Sequence, residues 1–245
     1  MKLQREIGIY EKYIKRIFDI VCSSVFIIMF SWLFAIIAII VRMKMGSPVL
    51  FRQPRPGIVK DGKETIFDMY KFRTMTDKRD SNGNLLPDDQ RLPRFGAILR
   101  STSLDELPEI FCILKGDMSI VGPRPQLVRD MVFMTDEQRM RHTAKPGLTG
   151  LAQVKGRNAI TWEEKIAWDL KYIENISFFS DIKIIFETAA AVFRREGITD
   201  GENATALDYG DVLLQEQKVS EDRYHELQKE ARNLIGEYER GKCQG

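Results

Sequence analysis

The chain has 245 residues, of which 44% are hydrophobic and 29% charged, and its formal net charge is +2. This composition excludes wholesale disorder and is typical of one sizeable domain with appendages. Residues 201–245 carry ten acidic and six basic side chains, so residues 1–200 carry a net charge of +6, which favours anionic partners such as phosphates, nucleic acid or a membrane surface.

The first predicted element is a membrane helix. Residues 20–41 contain no charged side chain, and about 20 apolar residues are enough to span a bilayer. Basic residues flank both ends of this segment: Lys12, Lys15, Arg16, Arg42 and Lys44. Because positive charge normally stays on the cytoplasmic side, the flanks favour a re-entrant helix that enters and leaves by one face. Ser31 is the only polar residue that can bend its middle. A spanning helix and a buried core helix are the alternatives.

Two strands are predicted next. The stretch SPVLFRQPRPG predicts a short strand and then a turn at Pro54, Pro56 and Gly57. The stretch TIFDMYKFRTM predicts a second strand, on which Lys71 and Arg73 share one face because alternate residues point the same way. Two cations on one face can grip a phosphate, and a solvated face is the alternative. Residues 77–94 then predict a long polar surface loop, a kind of segment that is often functional.

The stretch RSTSLDELPEIF, at residues 100–111, contains two adjacent carboxylates. Apolar residues at helical spacing predict an amphipathic helix that ends near Gly116. Ser103 and Glu106 predict a capping box at its start. Asp105 and Glu106 therefore have two interpretations, as acids that complement a helix dipole or as a catalytic pair.

Two arginines follow on stiff or glycine-rich segments. The stretch MSIVGPRPQ predicts a brief strand and then Arg124, which Pro123 and Pro125 hold on a restricted backbone. Such a mount suits bidentate phosphate binding, and a plain surface turn is the alternative. The stretch KPGLTGLAQVKGRN presents Arg157 on a turn after a strand-like run.

The last part of the chain is predicted to be helical. Thr161 and Glu164 predict a capping box for a helix on which Asp169 lies in a largely apolar stripe. A buried acid needs a partner, so Asp169 is expected to meet an arginine, a metal or a substrate, and a structural salt bridge is the competing interpretation. A further helix is predicted from about residue 180 to 195, stopped by Gly197, followed by an amphipathic helix capped by Ser220. The last helix can pack on the domain or join a partner chain.

Several of these stretches occur in an order that resembles the bacterial sugar transferase family: KRIFDI, RPG, YKFRTM, RSTSLDELPEIF, LKGDMSIVGPRP, KPGLTGLAQVKGRN and YIENISFFSDIKIIF. The resemblance extends from about Tyr13 to Gly197. It implies a small monotopic phosphoglycosyl transferase with a mixed α/β fold, a small sheet and several helices, some of them on the membrane. Residues 1–45 are then the re-entrant anchor, 46–204 the catalytic domain and 205–245 a helical extension.

The resemblance also implies an activity. Such enzymes transfer a sugar-1-phosphate from a UDP-sugar to polyprenyl phosphate at the cytoplasmic face of the bacterial cell membrane and release UMP. Asp105 and Glu106 match the family's acid pair, with Asp105 as nucleophile and Mg²⁺ ligand, and Arg124 matches its Pro-Arg-Pro motif. Phosphate and nucleotide contacts are implied for four further residues: Lys71, Arg100, Arg157 and Asp169. One departure is Trp32, which follows Ser31 where similar enzymes have proline.

Three rival functions are weighed against this one. An ordinary glycosyltransferase would release UDP, a sugar-nucleotide pyrophosphatase would need no lipid, and a membrane scaffold would use its basic residues only on anionic lipid. No nucleic-acid motif is present, and no nucleic-acid partner is expected. A homodimer through the extension is one possibility. Three scattered cysteines and two histidines give no disulfide framework, histidine metal cluster or histidine-based triad, and they indicate a reducing compartment.

Overall fold

The chain forms a mixed α/β structure, as predicted, with two small sheets and many helices. A computed structural model describes residues 5–156, 160–194 and 207–243. The elements are a π-helical turn (Tyr10–Ile14), α1 (Lys15–Met45), β1 (Leu50–Lys60), β2 (Lys63–Phe72), α2 (Asp88–Arg91), α3 (Arg94–Ser101), a 3-10 turn (Leu104–Glu106), α4 (Glu109–Lys115), β3 (Ser119–Val121), α5 (Val128–Met131), α6 (Asp136–Arg139), a 3-10 turn (Met140–Thr143), β4 (Gly147–Thr149), α7 (Leu151–Lys155), α8 (Trp162–Glu174), α9 (Phe178–Phe193), α10 (Tyr209–Gln215) and α11 (Glu221–Cys243).

Helix α1 runs for 31 residues without interruption, which corresponds to about 46 Å at the rise of an α-helix. The helical segment Tyr10–Met45 is long and apolar enough to cross a membrane by length and composition. The Ser31 hydroxyl donates to the Ile28 carbonyl at 3.1 Å, and the backbone is helical on both sides, so the expected break at Ser31 is absent. An anchor helix joined to an α/β domain is what the structure shows, and re-entrant insertion stays a prediction.

One face of α1 packs along the domain. Near its start, Arg16 donates to the Ile113 carbonyl at 2.6 Å, and Asp19 accepts the Ile120 N–H at 2.9 Å. Near its end, α1 enters an apolar core with β2 and α3, formed by Ile37, Val41, Met45, Phe72 and Leu99. The opposite face is a stripe of exposed apolar residues: Ile14, Ile17, Val21, Val25, Ile28, Trp32, Ile36, Ile39 and Met43.

Strands β1 and β2 form an antiparallel hairpin. The predicted turn at Pro54, Pro56 and Gly57 is wrong, because β1 continues through all three and the turn lies at Asp61 and Gly62. Proline is tolerated there because a two-stranded sheet leaves each strand one edge whose N–H groups need no partner. The predicted loop at 77–94 is confirmed as mostly irregular, interrupted by the short helix α2.

Strands β3 and β4 pair in parallel, with Ser119 opposite Gly147 and Val121 opposite Thr149. A Cβ atom at Gly147 would lie 2.1 Å from the Gly122 backbone nitrogen, so only glycine permits this close approach. The strand-like run predicted before Arg157 is confirmed only in part, since Gly147–Thr149 forms β4 but residues 151–155 form α7. Arg157 itself lies outside the described residues.

The predicted helices in the last third of the chain are largely confirmed. Thr161 and Glu164 form the expected capping box of α8. Helix α9 begins at Phe178, two residues before the predicted start, and the proposed stop at Gly197 lies outside the described residues. Ser220 accepts the Arg223 N–H at 3.3 Å, as a cap of α11 does.

The C-terminal extension packs back on the domain, as one of the two predicted options for its apolar face stated, and association with a partner chain stays a prediction. Leu227 and Ala231 of α11 and Tyr209 of α10 lie in a core with α5 and the residues after it. Lys242 at the end of α11 donates to Asp68 on β2. The extension therefore contacts both β2, which precedes the acid pair in the sequence, and α5 with the residues after it, which follow the pair.

Candidate active site

Asp105 and Glu106 lie on the 3-10 turn before α4. Ser103 has a φ of +55°, in the left-handed region, and makes no capping hydrogen bond, so the predicted capping box is wrong. Pro108 precedes the first residue of α4, and the helix ends at Gly116 with a φ of +103°, as predicted. The capping box fails because the Glu106 side chain turns towards two cations instead of its own backbone.

Glu106 holds both cations at once. Its Oε1 accepts a hydrogen bond from Lys71 Nζ at 2.6 Å and another from Arg124 Nη2. Burial disfavours the ionised carboxylate, but the charges of Arg124 and Lys71 outweigh burial and hold the pKa of Glu106 well below its usual range. Glu106 is therefore an ionised carboxylate that links Lys71 on β2 to Arg124 on the loop after β3.

Asp105 differs from its neighbour. It is 9% exposed, and among the described residues no side chain donates a hydrogen bond to its carboxylate. Burial raises the pKa of Asp105, and the charge of Glu106 adds to this, while Lys71 and Arg100 act in the opposite direction. Adjacent carboxylates with pKa values moved apart are typical of acids with different catalytic tasks. Asp105 is the one whose oxygens are available to a ligand.

The predicted pair of cations on β2 is only half correct. Lys71 reaches the acids, but Arg73 is buried and donates to the Ser47 carbonyl at 2.8 Å and the Met75 carbonyl at 2.9 Å. Arg73 therefore holds the chain together after the strand ends. Arg100 is exposed on α3 and donates to Thr74 Oγ1 at 3.0 Å, close enough for its charge to lower the pKa of Asp105.

The backbone segment 123–125, which carries Arg124, is fixed by hydrogen bonds to its three consecutive carbonyl oxygens. The carbonyls of residues 123–125 accept hydrogen bonds from the Gly147 N–H at 3.0 Å, from Arg141 at 2.7 Å and from Arg55 at 3.1 Å. The restriction by the two prolines and these three hydrogen bonds fix the backbone, so the side chain of Arg124 extends from a rigid position before any ligand binds.

Asp169 is connected to this backbone segment through Arg141. It is 2% exposed and accepts hydrogen bonds from Arg141 at 3.0 Å (Nε) and 2.5 Å (Nη2). The same Arg141 donates to the Arg124 carbonyl, so Asp169 supports Arg124 through Arg141. The salt-bridge alternative for Asp169 is what the structure shows, and a direct substrate contact stays a prediction.

Sequence reasoning missed Glu109, Arg55 and Arg141. Glu109 is 1% exposed, and its Oε1 lies 3.4 Å from Lys71 Nζ. Burial raises the pKa of Glu109, and the charge of Glu106 raises it further. Its place one helical turn after Asp105 was an available signal. Arg55 and Arg141 carried no local signal for the site, since the Pro125 and Arg124 carbonyls that they bind are distant in sequence.

The residues fit a magnesium ion in one respect. Within the described ranges, no group of three or more His, Cys, Asp or Glu side chains could hold a metal ion. Mg²⁺ commonly takes only one or two carboxylates and fills its remaining positions with substrate phosphates and water. Asp105 can supply such a carboxylate, whereas Glu106 is already bound to Lys71 and Arg124.

An available buried carboxylate beside a lysine and a fixed arginine suits the handling of phosphate groups, and the length and apolar composition of the helix along the domain suit attachment to a membrane. The family model described as bacterial sugar transferase matches residues 10–195. The chain belongs to this family.

Three relatives illustrate the similarity. The chain is 48% identical over 202 residues to the uncharacterized sugar transferase EpsL of Bacillus subtilis, a match that covers 81% of this chain and 98% of that protein. It is 37% identical over 203 residues to the undecaprenyl-phosphate galactose phosphotransferase of Salmonella typhimurium, covering 76% and 42%. It is 41% identical over 184 residues to a UDP-glucose:undecaprenyl-phosphate glucose-1-phosphate transferase of Klebsiella pneumoniae, covering 71% and 39%. The chain thus spans less than half the length of the last two.

Proposed function

We propose that this transferase moves a sugar-1-phosphate from a UDP-sugar to polyprenyl (undecaprenyl) phosphate and releases UMP. This would be the first membrane step of a bacterial surface glycan pathway, at the cytoplasmic face of the inner membrane. The observation that carries the proposal is Asp105, a buried carboxylate with available oxygens beside Lys71 and Arg124. The names of the Salmonella and Klebsiella relatives support the substrates.

The proposed reaction has two displacements at one phosphorus atom. An Asp105 oxygen attacks the phosphorus that carries the sugar, the bond from this phosphorus to the UMP oxygen breaks, and UMP leaves with the electron pair. An oxygen of polyprenyl phosphate then attacks the aspartyl phosphate, the bond to Asp105 breaks, and the carboxylate is restored. Splitting one difficult transfer into two easier ones is the general advantage of a covalent intermediate.

The cations of the site stabilise the charge that this chemistry develops. Lys71 and Arg124 both donate to Glu106, the neighbour of Asp105, and the charges of Lys71 and Arg100 lower the pKa of Asp105. One well-aimed donor of this kind contributes about 3 kcal/mol to the transition state. Mg²⁺, held by Asp105 and substrate phosphates, would neutralise diphosphate charge. Arg157 is a further proposed phosphate contact.

The anchor helix supports a membrane substrate. Its exposed apolar stripe faces away from the domain. Its other face packs against β2, which carries Lys71, and against α4, which directly follows the acid pair. A re-entrant or in-plane position of α1 would hold the acid pair at headgroup level, where the phosphate of a polyprenyl chain lies.

The deciding experiment measures the nucleotide that purified full-length protein releases from a panel of UDP-sugars with Mg²⁺ and polyprenyl phosphate. UMP release by the wild type, lost in Asp105→Asn and kept in the exposed control Asp89→Asn, is the expected result. Acid quenching should also trap a radiolabelled sugar phosphate on the wild type and on Asp89→Asn, but not on Asp105→Asn. Release of UDP would instead identify an ordinary glycosyltransferase. Without the lipid, the proposed mechanism allows at most one UMP per protein molecule, so sustained UMP release without lipid would identify a pyrophosphatase.

A further inference from the structure

A basic groove, formed by two adjoining cavities, lies beside the start of α1. The cavities measure about 190 Å³ and 460 Å³ and share two lining residues, Ile58 and Lys145. Their walls come from α1, the β1–β2 hairpin and the segment before β4, and none of the candidate active-site residues lines them. Five basic side chains line the groove: Lys12, Lys15, Arg16, Lys60 and Lys145.

The acidic side chains of the groove already have partners. Asp19 accepts the hydrogen bonds that dock α1 on β3. Glu11 pairs with Arg5 at 2.6 Å, and Asp117 pairs with Lys115 at 3.0 Å. Five basic side chains outnumber these three acids, so the groove keeps an excess of positive charge that Asp19 and Asp117 offset only in part.

Lys145 is the centre of this excess. Its side chain is half-buried between the two cavities, and no described residue accepts a hydrogen bond or forms an ion pair with its ammonium group. By contrast, Lys15 donates to Asp181, and Arg16 donates to two carbonyl oxygens at the end of α4. Burial lowers the pKa of Lys145, and the neighbouring charge of Arg16 lowers it further, while Asp19 and Asp117 act in the opposite direction. A partly desolvated cation without an ion-pair partner costs stability, which an anionic ligand would offset.

The mouth of the groove borders an apolar surface. Ile7 and Ile176 are among its lining residues. Phe178, at the start of α9, packs edge-on against Phe18 with ring centroids 6.4 Å apart, and Phe179 beside it is 83% exposed. The exposed stripe of α1 begins at the same end. Basic side chains next to exposed aromatic and aliphatic ones are typical of a surface at the level of lipid headgroups.

We propose that this groove binds the phosphate group of an anionic phospholipid, with Lys145 as its central cation and Lys12 and Lys60 at its rim. Free inorganic phosphate has the same recognition chemistry. The apolar border favours the lipid, because acyl chains can lie along α1 and α9 while the headgroup enters the groove. The site would fix the height of the domain on the membrane.

The test uses the full-length protein in neutral detergent micelles, with phosphatidylglycerol as the probe and inorganic phosphate as the competing anion. Native mass spectrometry counts the retained lipid, and thermal unfolding measures the stabilisation that it confers. Lys145→Met removes the charge at similar length, Lys145→Arg keeps it, and Lys229→Met on the outer face of α11 is the matched control. Lys60→Met is a second variant at an exposed position where folding is not at risk.

The wild type, Lys145→Arg and Lys229→Met are expected to retain one phosphatidylglycerol and to unfold at a higher temperature with it. Lys145→Met should bind it about fivefold more weakly, the effect of one lysine near an anionic headgroup, and Lys60→Met should be intermediate. Without lipid, Lys145→Met should unfold no earlier than the wild type. Equal lipid affinity in Lys145→Met and the wild type would overturn the proposal, as would inorganic phosphate that stabilises the wild type while phosphatidylglycerol does not.

Discussion

Asp169→Asn tests whether the buried ion pair beneath Arg124 is structural. Asp169 and Arg141 have side-chain exposures of 3% and 1%, so removing one charge leaves the other buried without a counter-charge. Breaking a buried pair in this way costs about 3–5 kcal/mol of unfolding free energy. Arg141 also donates to the Arg124 carbonyl. If Arg141 moves, the backbone at Arg124 loses this hydrogen bond, the guanidinium of Arg124 is less well positioned, and kcat should fall.

A double-mutant cycle separates the pair from its parts. Arg141→Met and Asp169→Leu should each destabilise the chain strongly, while the double variant should recover much of the loss, because an apolar pair needs no counter-charge. The unfolding free energy is measured by urea denaturation of the full-length protein in micelles, followed by tryptophan fluorescence. Asp89→Asn, an exposed acid on α2, is the matched control and should change it by less than about 0.5 kcal/mol.

Two results would refute this reasoning. If Asp169→Asn left the unfolding free energy within about 1 kcal/mol of the wild type, the pair would not be a structural support. If the same variant raised KM for the UDP-sugar with kcat and stability unchanged, Asp169 would contact the substrate directly, as the family resemblance implies.

Three further predictions concern other parts of the chain. Lys71→Met should lower kcat by about 100-fold through loss of a cation at the transition state, whereas Lys63→Met at the other end of β2 should not, and equal effects would contradict the site. Burial lowers the pKa of His142 from 6.5 to about 4, so the unfolded chain binds the extra proton between these values, and stability should fall by about 3 kcal/mol from pH 7 to pH 4. His142→Gln should flatten this fall in a pH series of melting curves, and an unchanged slope would exclude His142 as its source. Leu227→Ala should cost about 2–4 kcal/mol in urea denaturation and the half-exposed Leu207→Ala far less, and similar costs would mean that α11 does not pack as described.

Local patterns were sufficient for the long helices and the hairpin strands, but not for the short helices α2, α3, α5, α6, α7 and α10, which were not predicted. The capping box at Thr161, the glycine stop at Gly116 and the Ser220 cap each involve residues within one turn of each other, so the sequence displays them directly. The same holds for the apolar anchor helix, whose length and composition are visible without any tertiary contact. The family motifs placed Asp105, Glu106, Lys71 and Arg124 together, and the structure brings these four to one site.

The failures share a physical cause. The capping box at Ser103 is absent because Glu106 finds stronger partners in Lys71, 35 residues earlier, and Arg124, 18 residues later. Arg73 leaves the predicted phosphate-binding face because the Ser47 carbonyl, 26 residues earlier, and the nearby Met75 carbonyl take its hydrogen bonds. Local propensity is worth about 1 kcal/mol at such positions, and a buried charge-assisted hydrogen bond exceeds it.

The sequence alone therefore determined the apolar helix α1, the helices α4, α8, α9 and α11, and the presence of two adjacent acids, because periodicity, caps and motifs involve neighbouring residues. Only the tertiary structure showed that Lys71 and Arg124 bind Glu106, whereas the carboxylate oxygens of Asp105 are available to a ligand. It also decided that Asp169 supports Arg124 through Arg141 and that the C-terminal extension covers the domain. These outcomes depend on which charges are buried together, and burial is a property of the whole fold.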